Sequence, residues 1–124
     1  MTDPAGPAQT GLQQNSDVLT ATNQLELTAS LLQREALRYS PAGVALCQVL
    51  VEHESTQPEM GQERNVRLVI AARFSGVMAE QIATETLGCR LMIRGFICPK
   101  RLFRDNKPSG ALQIHVTEYQ RLGH

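Results

Sequence analysis

The segment KRLFRDNKPSG, residues 100–110, holds the side chains of this sequence that are best suited to bind a polyanion. Lysine and arginine neutralise phosphate groups, and a phenylalanine ring stacks on an unpaired base. Their combination is typical of sequence-tolerant binding to single-stranded nucleic acid, and a solvated surface loop is the alternative interpretation. The candidate residues are Lys100, Arg101, Phe103, Arg104 and Lys107.

Further candidates lie on the strands that would have to position this segment. A guanidinium pairs with phosphate and also lies flat on a base, so an arginine-lined strand face partly replaces aromatic rings. For any single arginine, an ion pair with a glutamate on the neighbouring strand agrees equally well with the sequence. The strand candidates are Arg67, Arg73, Arg94 and Phe96, and Arg34 and Arg38 follow the first strand.

The charges are unevenly divided along the chain, although the 12 bases and 12 acids cancel. Residues 1–89 hold five bases and ten acids, whereas residues 90–124 hold seven bases and two acids. The C-terminal part is therefore basic, which favours a polyanionic partner such as nucleic acid.

The cysteines and histidines give no sign of a disulfide framework or a metal site. Cys47, Cys89 and Cys98 form no Cys-x-x-Cys pair, and the three histidines share no ligand spacing with them. Free thiols, buried or half-buried, are expected. A nucleophile elbow, a phosphate-cradling glycine loop and a His-Glu metal motif are also missing. The sequence therefore predicts no catalytic residue, no metal and no cofactor, and a protein that is not an enzyme.

Hydropathy periodicity divides the chain into a tail and one domain. Residues 1–22 have no periodicity and are predicted to be a flexible N-terminal tail, followed by a domain over residues 23–122. Turn chemistry is predicted at Arg38–Gly43, a loop at Glu54–Glu63, and a short helix over Ser75–Gly88 with Ser75 as N-cap. Alternation with a period of two predicts five strands, around Leu25–Leu31, Val44–His53, Val66–Phe74, Arg90–Cys98 and Ala111–Gln120.

The alternation also predicts which side chains form the core. Leu46, Leu50 and Met92 lie on the second faces of their strands and exceed what a one-sided core needs. Because a small barrel also has open strand edges, a homodimer is expected. The residues predicted to point inward include Cys47, Val49, Val51, Val66, Leu68, Ile70, Ala72, Phe74, Leu91, Ile93, Ile97, Leu112, Ile114 and Val116.

The predicted order of elements is strand, strand, strand, helix, strand, strand. This is the order of the OB-fold, an all-β, five-stranded Greek-key barrel that binds oligonucleotides through a strand face and through the loops after its first and fourth strands. An open antiparallel α+β sandwich is the structural alternative. In an OB-fold, Lys100–Gly110 is the loop between the fourth and fifth strands.

The stretches NQLELTASLL, SPAGVALCQVLVEH and SGVMAEQIATETLGCRLMIRGFI together resemble the family of primosomal replication protein N, relatives of single-stranded-DNA-binding protein. The likeness runs from about Asn23 to Leu122. It implies a non-catalytic OB-fold homodimer that binds single-stranded DNA and contacts a restart helicase and a helicase-loading protein. It also implies lysines in the loop between strands four and five and an aromatic residue on strand three, where this sequence has Arg67 and the whole chain has no tryptophan.

The resulting prediction is an accessory protein of the primosome that holds single-stranded DNA in replication restart and bridges a restart helicase to helicase-loading factors. The alternative is an OB-fold interaction module that binds mainly protein through the acidic segment Glu52–Glu63. The N-terminus lacks a cationic start, and no apolar run approaches the roughly 20 residues that cross a bilayer, so a cytoplasmic protein without membrane contact is expected.

Overall fold

Eight β-strands and one helix make up the described part of the chain. The computed structural model describes residues 21–100, 103–104, 107–108 and 110–123. The strands are β1 (Leu25–Arg34), β2 (Arg38–Tyr39), β3 (Ala45–Glu59), β4 (Gln62–Ser75), β5 (Arg90–Pro99), β6 (Phe103–Arg104), β7 (Lys107–Pro108) and β8 (Leu112–Gly123), and the helix α1 is Val77–Ile82.

Five of these strands close into a barrel, because β1 pairs with both β3 and β5. The order around the barrel is β1, β5, β8, β4, β3. Among the described barrel pairs, β4 and β8 are parallel and the others are antiparallel. The helix lies in sequence between β4 and β5, the third and fourth barrel strands. This topology is the OB-fold, so that prediction is confirmed and the open sandwich is excluded.

The barrel interior is filled by the alternating apolar residues, largely as predicted. Phe74 is fully buried and meets Tyr119 edge to face, with ring centroids 5.4 Å apart. Two inward assignments were wrong: Leu68 is 38% exposed and Leu112 is 52% exposed. Leu112 begins its strand, and Leu68 lies where β4 leaves the barrel, so that neither has core residues to cover it. The half-buried Leu46, Leu50 and Met92 lie on the outward faces, as expected.

The predicted loop at Glu54–Glu63 is instead a β-hairpin, hereafter the arm, in which β3 and β4 stay paired from Glu54–Arg67 to Glu59–Gln62. Met60 and Gly61 form its turn with φ of 51° and 81°, a left-handed pair that suits a two-residue hairpin. Pro58 is tolerated because β3 lies at a sheet edge here, where no neighbour needs its missing N–H. The prediction was wrong because a polar composition does not show whether the backbone is irregular or paired.

The helix is shorter than predicted and begins later. Ser75 ends β4, and the N-cap is Gly76, whose φ of 66° reverses the chain without a side-chain cap. Ala79 and Ile82 are the buried helical residues. The remainder, to Gly88, forms turns, because Thr84 and Glu85 donate to carbonyls three residues earlier.

The two segments predicted to be turn and loop contain short strands. Arg38 and Tyr39, at the start of the predicted turn, pair with β3, and the turn closes where the Gly43 N–H donates to the Ser40 carbonyl oxygen at 2.8 Å. Within the Lys100–Gly110 segment, β6 pairs with β7. At the other end of the domain, the Asn23 side chain bonds both the N–H and the C=O of Ile97.

All three cysteines are free, as predicted: Cys47 and Cys89 are buried and Cys98 is half-buried. Burial raises the pKa of the Cys47 and Cys89 thiols. The described residues contain no cluster of three or more side chains suited to hold a metal ion. The described helix is too short to cross a membrane.

A partly buried network joins the end of the barrel to the segment after the helix. Glu85 accepts hydrogen bonds from Tyr119 Oη at 3.1 Å and from Arg121 Nη1 at 3.0 Å. Burial, followed by the bond to Glu85, raises the pKa of Tyr119 to about 12. The phenol is thus a donor that the folded state holds in its protonated form.

Between pH 10 and pH 12 the free energy of unfolding of the wild-type protein is expected to fall because of Tyr119. Replacing Tyr119 by phenylalanine is expected to abolish this part of the fall. The folded protein keeps the phenol protonated to about pH 12, whereas the unfolded chain releases the proton near pH 10. Unfolding therefore releases a proton in this window, and wild-type stability falls as the pH rises through it. Urea titrations of both proteins at about pH 9 and about pH 11 measure the effect, and equal losses in both contradict it.

Candidate nucleic-acid interface

A groove of about 190 Å³ opens on the barrel surface between the end of β1 and the end of β5. It brings together Arg34 and Lys100, two of the predicted site residues. Gln33, Gln48 and the apolar Leu50 also line it, as do Val49 and the acidic Glu35. Two cations, two amides and an apolar contact are groups that can hold a phosphate, a sugar and a base.

Lys100 lies at the base of the cationic segment. Its N–H donates to the carbonyl of Ala111 at 3.0 Å, which brings the two ends of the segment together beside the groove. Phe103 and Arg104 lie on β6 and Lys107 on β7, and Arg104 pairs with Lys107 in register. Arg101 lies outside the described residues. The binding role of these residues remains a prediction, now attached to a segment that starts at the groove.

Arg34 has a structural task as well as a place in the groove. Its Nη1 donates to the carbonyl of Glu85 at 2.6 Å and to that of Ile82 at 3.4 Å. These carbonyls follow or end α1, so that Arg34 ties the end of β1 to the helix. A phosphate contact by Arg34 therefore has to use the other side of its guanidinium.

Arg67 and Arg94 are exposed but already carry acidic partners. Arg67 Nη2 lies 2.9 Å from Glu52, and Arg94 Nε lies 2.8 Å from Glu26, with Glu118 at 3.4 Å from its Nη1. These hydrogen bonds raise the pKa of both guanidinium groups, led by Glu52 and Glu26 respectively. The cross-strand ion pair that the sequence left as an alternative for Arg67 is thus present. To bind either arginine, a phosphate of DNA has to displace the carboxylate that is already paired with the guanidinium.

Phe96 belongs to a row of outward side chains that runs across four strands. In register, Gln48 of β3 faces Arg73 of β4, Arg73 faces His115 of β8, and His115 faces Phe96 of β5. The rings of Phe96 and His115 are stacked, with centroids 4.7 Å apart and planes 19° from parallel. We call these four residues the cross-strand row. All four are half-buried.

Two details mark the row as unusual for an outer barrel face. Gln48 Nε2 donates to Gln113 Oε1 at 3.0 Å, so that the amides meet over β4, where Ala71 carries only a methyl group. Arg73 Nε is buried without a hydrogen-bond partner among the described residues. A buried donor in this state costs free energy, and an acceptor that reached the guanidinium would recover it.

Sequence reasoning missed four polar residues of this face, the buried Gln113 and the more exposed Gln33, Gln48 and His115. Gln48 did carry a signal, because it is the polar residue in the middle of the apolar stretch VALCQVLV. A polar residue at an outward position between Leu46 and Leu50 indicates a surface that contacts something other than the core. The juxtaposition with Gln113 and His115 depends on the parallel β4–β8 pairing, which spacing along the chain does not reveal.

Residues 23–118 match a family described as another single-strand binding protein family. The replication restart protein PriB of Bordetella pertussis is 35% identical over 100 residues, which cover 81% of this chain and 89% of that protein. The solved structure of PriB from Ralstonia solanacearum has a TM-score of 0.72 at 30% identity, and the match covers 82% of this chain and 99% of that one. The wild-type single-stranded DNA binding protein of Thermus aquaticus has a TM-score of 0.65 at 25% identity, covering 82% of this chain and 50% of that one. The chain therefore belongs to the single-strand binding proteins, in the family of the replication restart protein PriB.

Proposed function

We propose that this protein is a non-catalytic accessory factor of replication restart that binds single-stranded DNA. The observation that carries the proposal is the groove in which Arg34 and Lys100 meet at the base of the cationic segment. OB-folds bind oligonucleotides with the loops after their first and fourth strands, and these loops bound the groove here. The relationship to PriB supports the same role.

The proposal includes a homodimer. Leu25–Ala29 pairs with β5, while the described pairing of β1 with β3 begins only at Ser30. The His53 ring already meets the Thr28 carbonyl at 2.7 Å, so the open edge is Leu25–Leu27, which a second copy can extend by antiparallel pairing. The half-buried Met92, opposite Thr28 in register, lies on the face that such a mate would cover.

We also assign to the dimer a bridging role between a restart helicase and helicase-loading factors, which work in the cytoplasm on chromosomal DNA. The arm is the surface best suited to a protein partner. Glu59 at its end lies nine residues along β3 from Leu50, the last groove residue of that strand, and Met60 is 96% exposed. The same arm supports the second candidate function, a module that binds mainly protein through its acidic residues.

A salt titration tests the DNA-binding proposal. Anisotropy of a labelled oligothymidine is measured against protein concentration at several salt concentrations, with double-stranded DNA alongside. If four phosphates are neutralised, log affinity should fall against log salt with a slope of about −3. A flat dependence, or no binding in low salt, rejects the proposal and favours the protein-binding module.

Replacing Arg67 by tryptophan is expected to tighten DNA binding. Arg67 lies on the outward face of β4 and its side chain is 67% exposed, so that an indole there meets solvent and offers a stacking surface that the chain lacks. The expected gain is about fivefold in affinity, the lower end of what one stacked base contributes. Anisotropy titration measures it, with Arg67→Leu as the control for losing the ion pair to Glu52. Weaker binding by the tryptophan variant than by the leucine variant contradicts the prediction.

A further inference from the structure

We infer that the cross-strand row, Gln48, Arg73, His115 and Phe96, is a second nucleotide site, in which the Phe96–His115 pair takes a base and Arg73 takes the adjoining phosphate. The inference rests on the proposed function, because the ligand is a further part of the same DNA strand. It extends the DNA path from the groove across β4 and β8 to β5.

Continuity with the groove is the first argument. Gln48 lines the groove and is also the first member of the row, so that the two sites share a residue. From β3 to β5 the row crosses three strand spacings, about 14 Å. More than one nucleotide of an extended strand is needed to cover this span, and the row therefore adds to the number of nucleotides bound.

The stacked rings are the second argument. Phe96 and His115 lie on different strands, yet their planes are 19° from parallel at a centroid distance of 4.7 Å. They lie on the outward faces of β5 and β8 and are half-buried. Such a pair is a preformed platform, to which a base adds as the next layer without ordering a mobile side chain.

The guanidinium of Arg73 is the third argument. Its register neighbours are Gln48 and His115, and within the described residues no acidic side chain is bonded to it, in contrast with Arg67 and Arg94. Its buried Nε has no partner in the described chain. A phosphate beside the ring platform would meet a guanidinium that has no carboxylate to release. To reach the buried Nε as well, it has to displace the side chains that cover this atom.

A single-tryptophan variant tests the inference. The chain has no tryptophan, so Phe96→Trp places one indole in the platform. Titration with unlabelled oligothymidine is expected to quench its fluorescence, with the same midpoint as the anisotropy of a labelled oligothymidine. Val77→Trp is the matched control, because Val77 is 68% exposed at the start of α1, and α1 contributes no residue to the groove or to the row. Its fluorescence is expected to stay constant.

Two side-chain variants measure the contribution of the row. His115→Ala and Arg73→Gln are each expected to weaken binding of a long oligothymidine by about five- to tenfold. Binding of an oligothymidine too short to extend beyond the groove is expected to change by less than about twofold. Circular dichroism of both variants establishes that they are folded.

The outcomes separate this inference from the proposed function. DNA binding by the wild-type protein, with constant Phe96→Trp fluorescence and wild-type affinity in both side-chain variants, overturns the second site and leaves the proposed function intact. No anisotropy change with the wild-type protein overturns both. If binding of short and long oligonucleotides weakens equally, the row only supports the structure of the groove and binds no further nucleotide. This result also overturns the second site.

Discussion

Changing Lys100, Arg101, Arg104 and Lys107 together to alanine is expected to weaken binding of single-stranded DNA by about a hundredfold in low salt. Each cation that meets a phosphate releases a counterion, so that four contacts account for a slope of about −3 in log affinity against log salt. Without them the slope should become shallower by about 3, which leaves only the contribution of Arg34 and Arg73. The measurement is the anisotropy titration of a labelled oligothymidine, repeated across salt concentrations for both proteins.

A charge-conserving variant is the matched control. Exchanging each lysine of this set for arginine and each arginine for lysine keeps four cations in the same segment and should preserve the slope. Both variants should also unfold at the wild-type urea midpoint, because Lys100 closes the segment through its backbone N–H rather than its side chain. Unchanged affinity of the alanine variant would move the principal DNA contact out of the segment. Arg34 and the cross-strand row would then be the remaining candidates.

The barrel could be predicted from the sequence because the alternation of apolar and polar residues that forms each strand is a local pattern. Alternation in Ala45–Val51 places Cys47, Val49 and Val51 inside, and the structure buries all three. A polar stretch does not reveal whether backbone hydrogen bonds continue through it, and therefore the arm was missed. Met60 is the sharpest example, because a non-glycine residue at positive φ gives the sequence no turn signal.

The candidate site could be predicted only in part, because its geometry depends on contacts between distant residues. Arg34 and Lys100 are 66 positions apart and share a groove only because the barrel closes. The ion pairs of Arg67 and Arg94 depend on register, which one alternation pattern does not specify across strands. The Gln48–Gln113 contact requires a parallel pair of strands with a small residue, Ala71, between the two amides.

Replacing Gly95 by alanine is expected to destabilise the fold by about 3 kcal/mol, at the upper end of the cost of overpacking. Gly95 is the glycine of the RGFI stretch that carried the family resemblance. β5 and β8 shift register there, and a Cβ at this position would overlap the carbonyl oxygen of His115. It would also lie 2.9 Å from the His115 carbonyl carbon and 3.1 Å from Val116 Cα. Since all these atoms are backbone, the strands themselves have to move apart. The urea midpoint measures the loss.

Gly110→Ala is the control for this substitution, because a Cβ at Gly110 meets no atom of the described residues within 4 Å. It should leave stability unchanged or raise it by up to about 1 kcal/mol, since alanine restricts the unfolded chain. Gly95→Ala should also displace the carbonyl of His115 and with it the ring stacked on Phe96, so DNA binding should weaken even where the variant is fully folded. A Gly95→Ala protein as stable as Gly110→Ala would show that β5 and β8 separate at little cost. The glycine would then have to be explained by a contact with a partner rather than by the register shift.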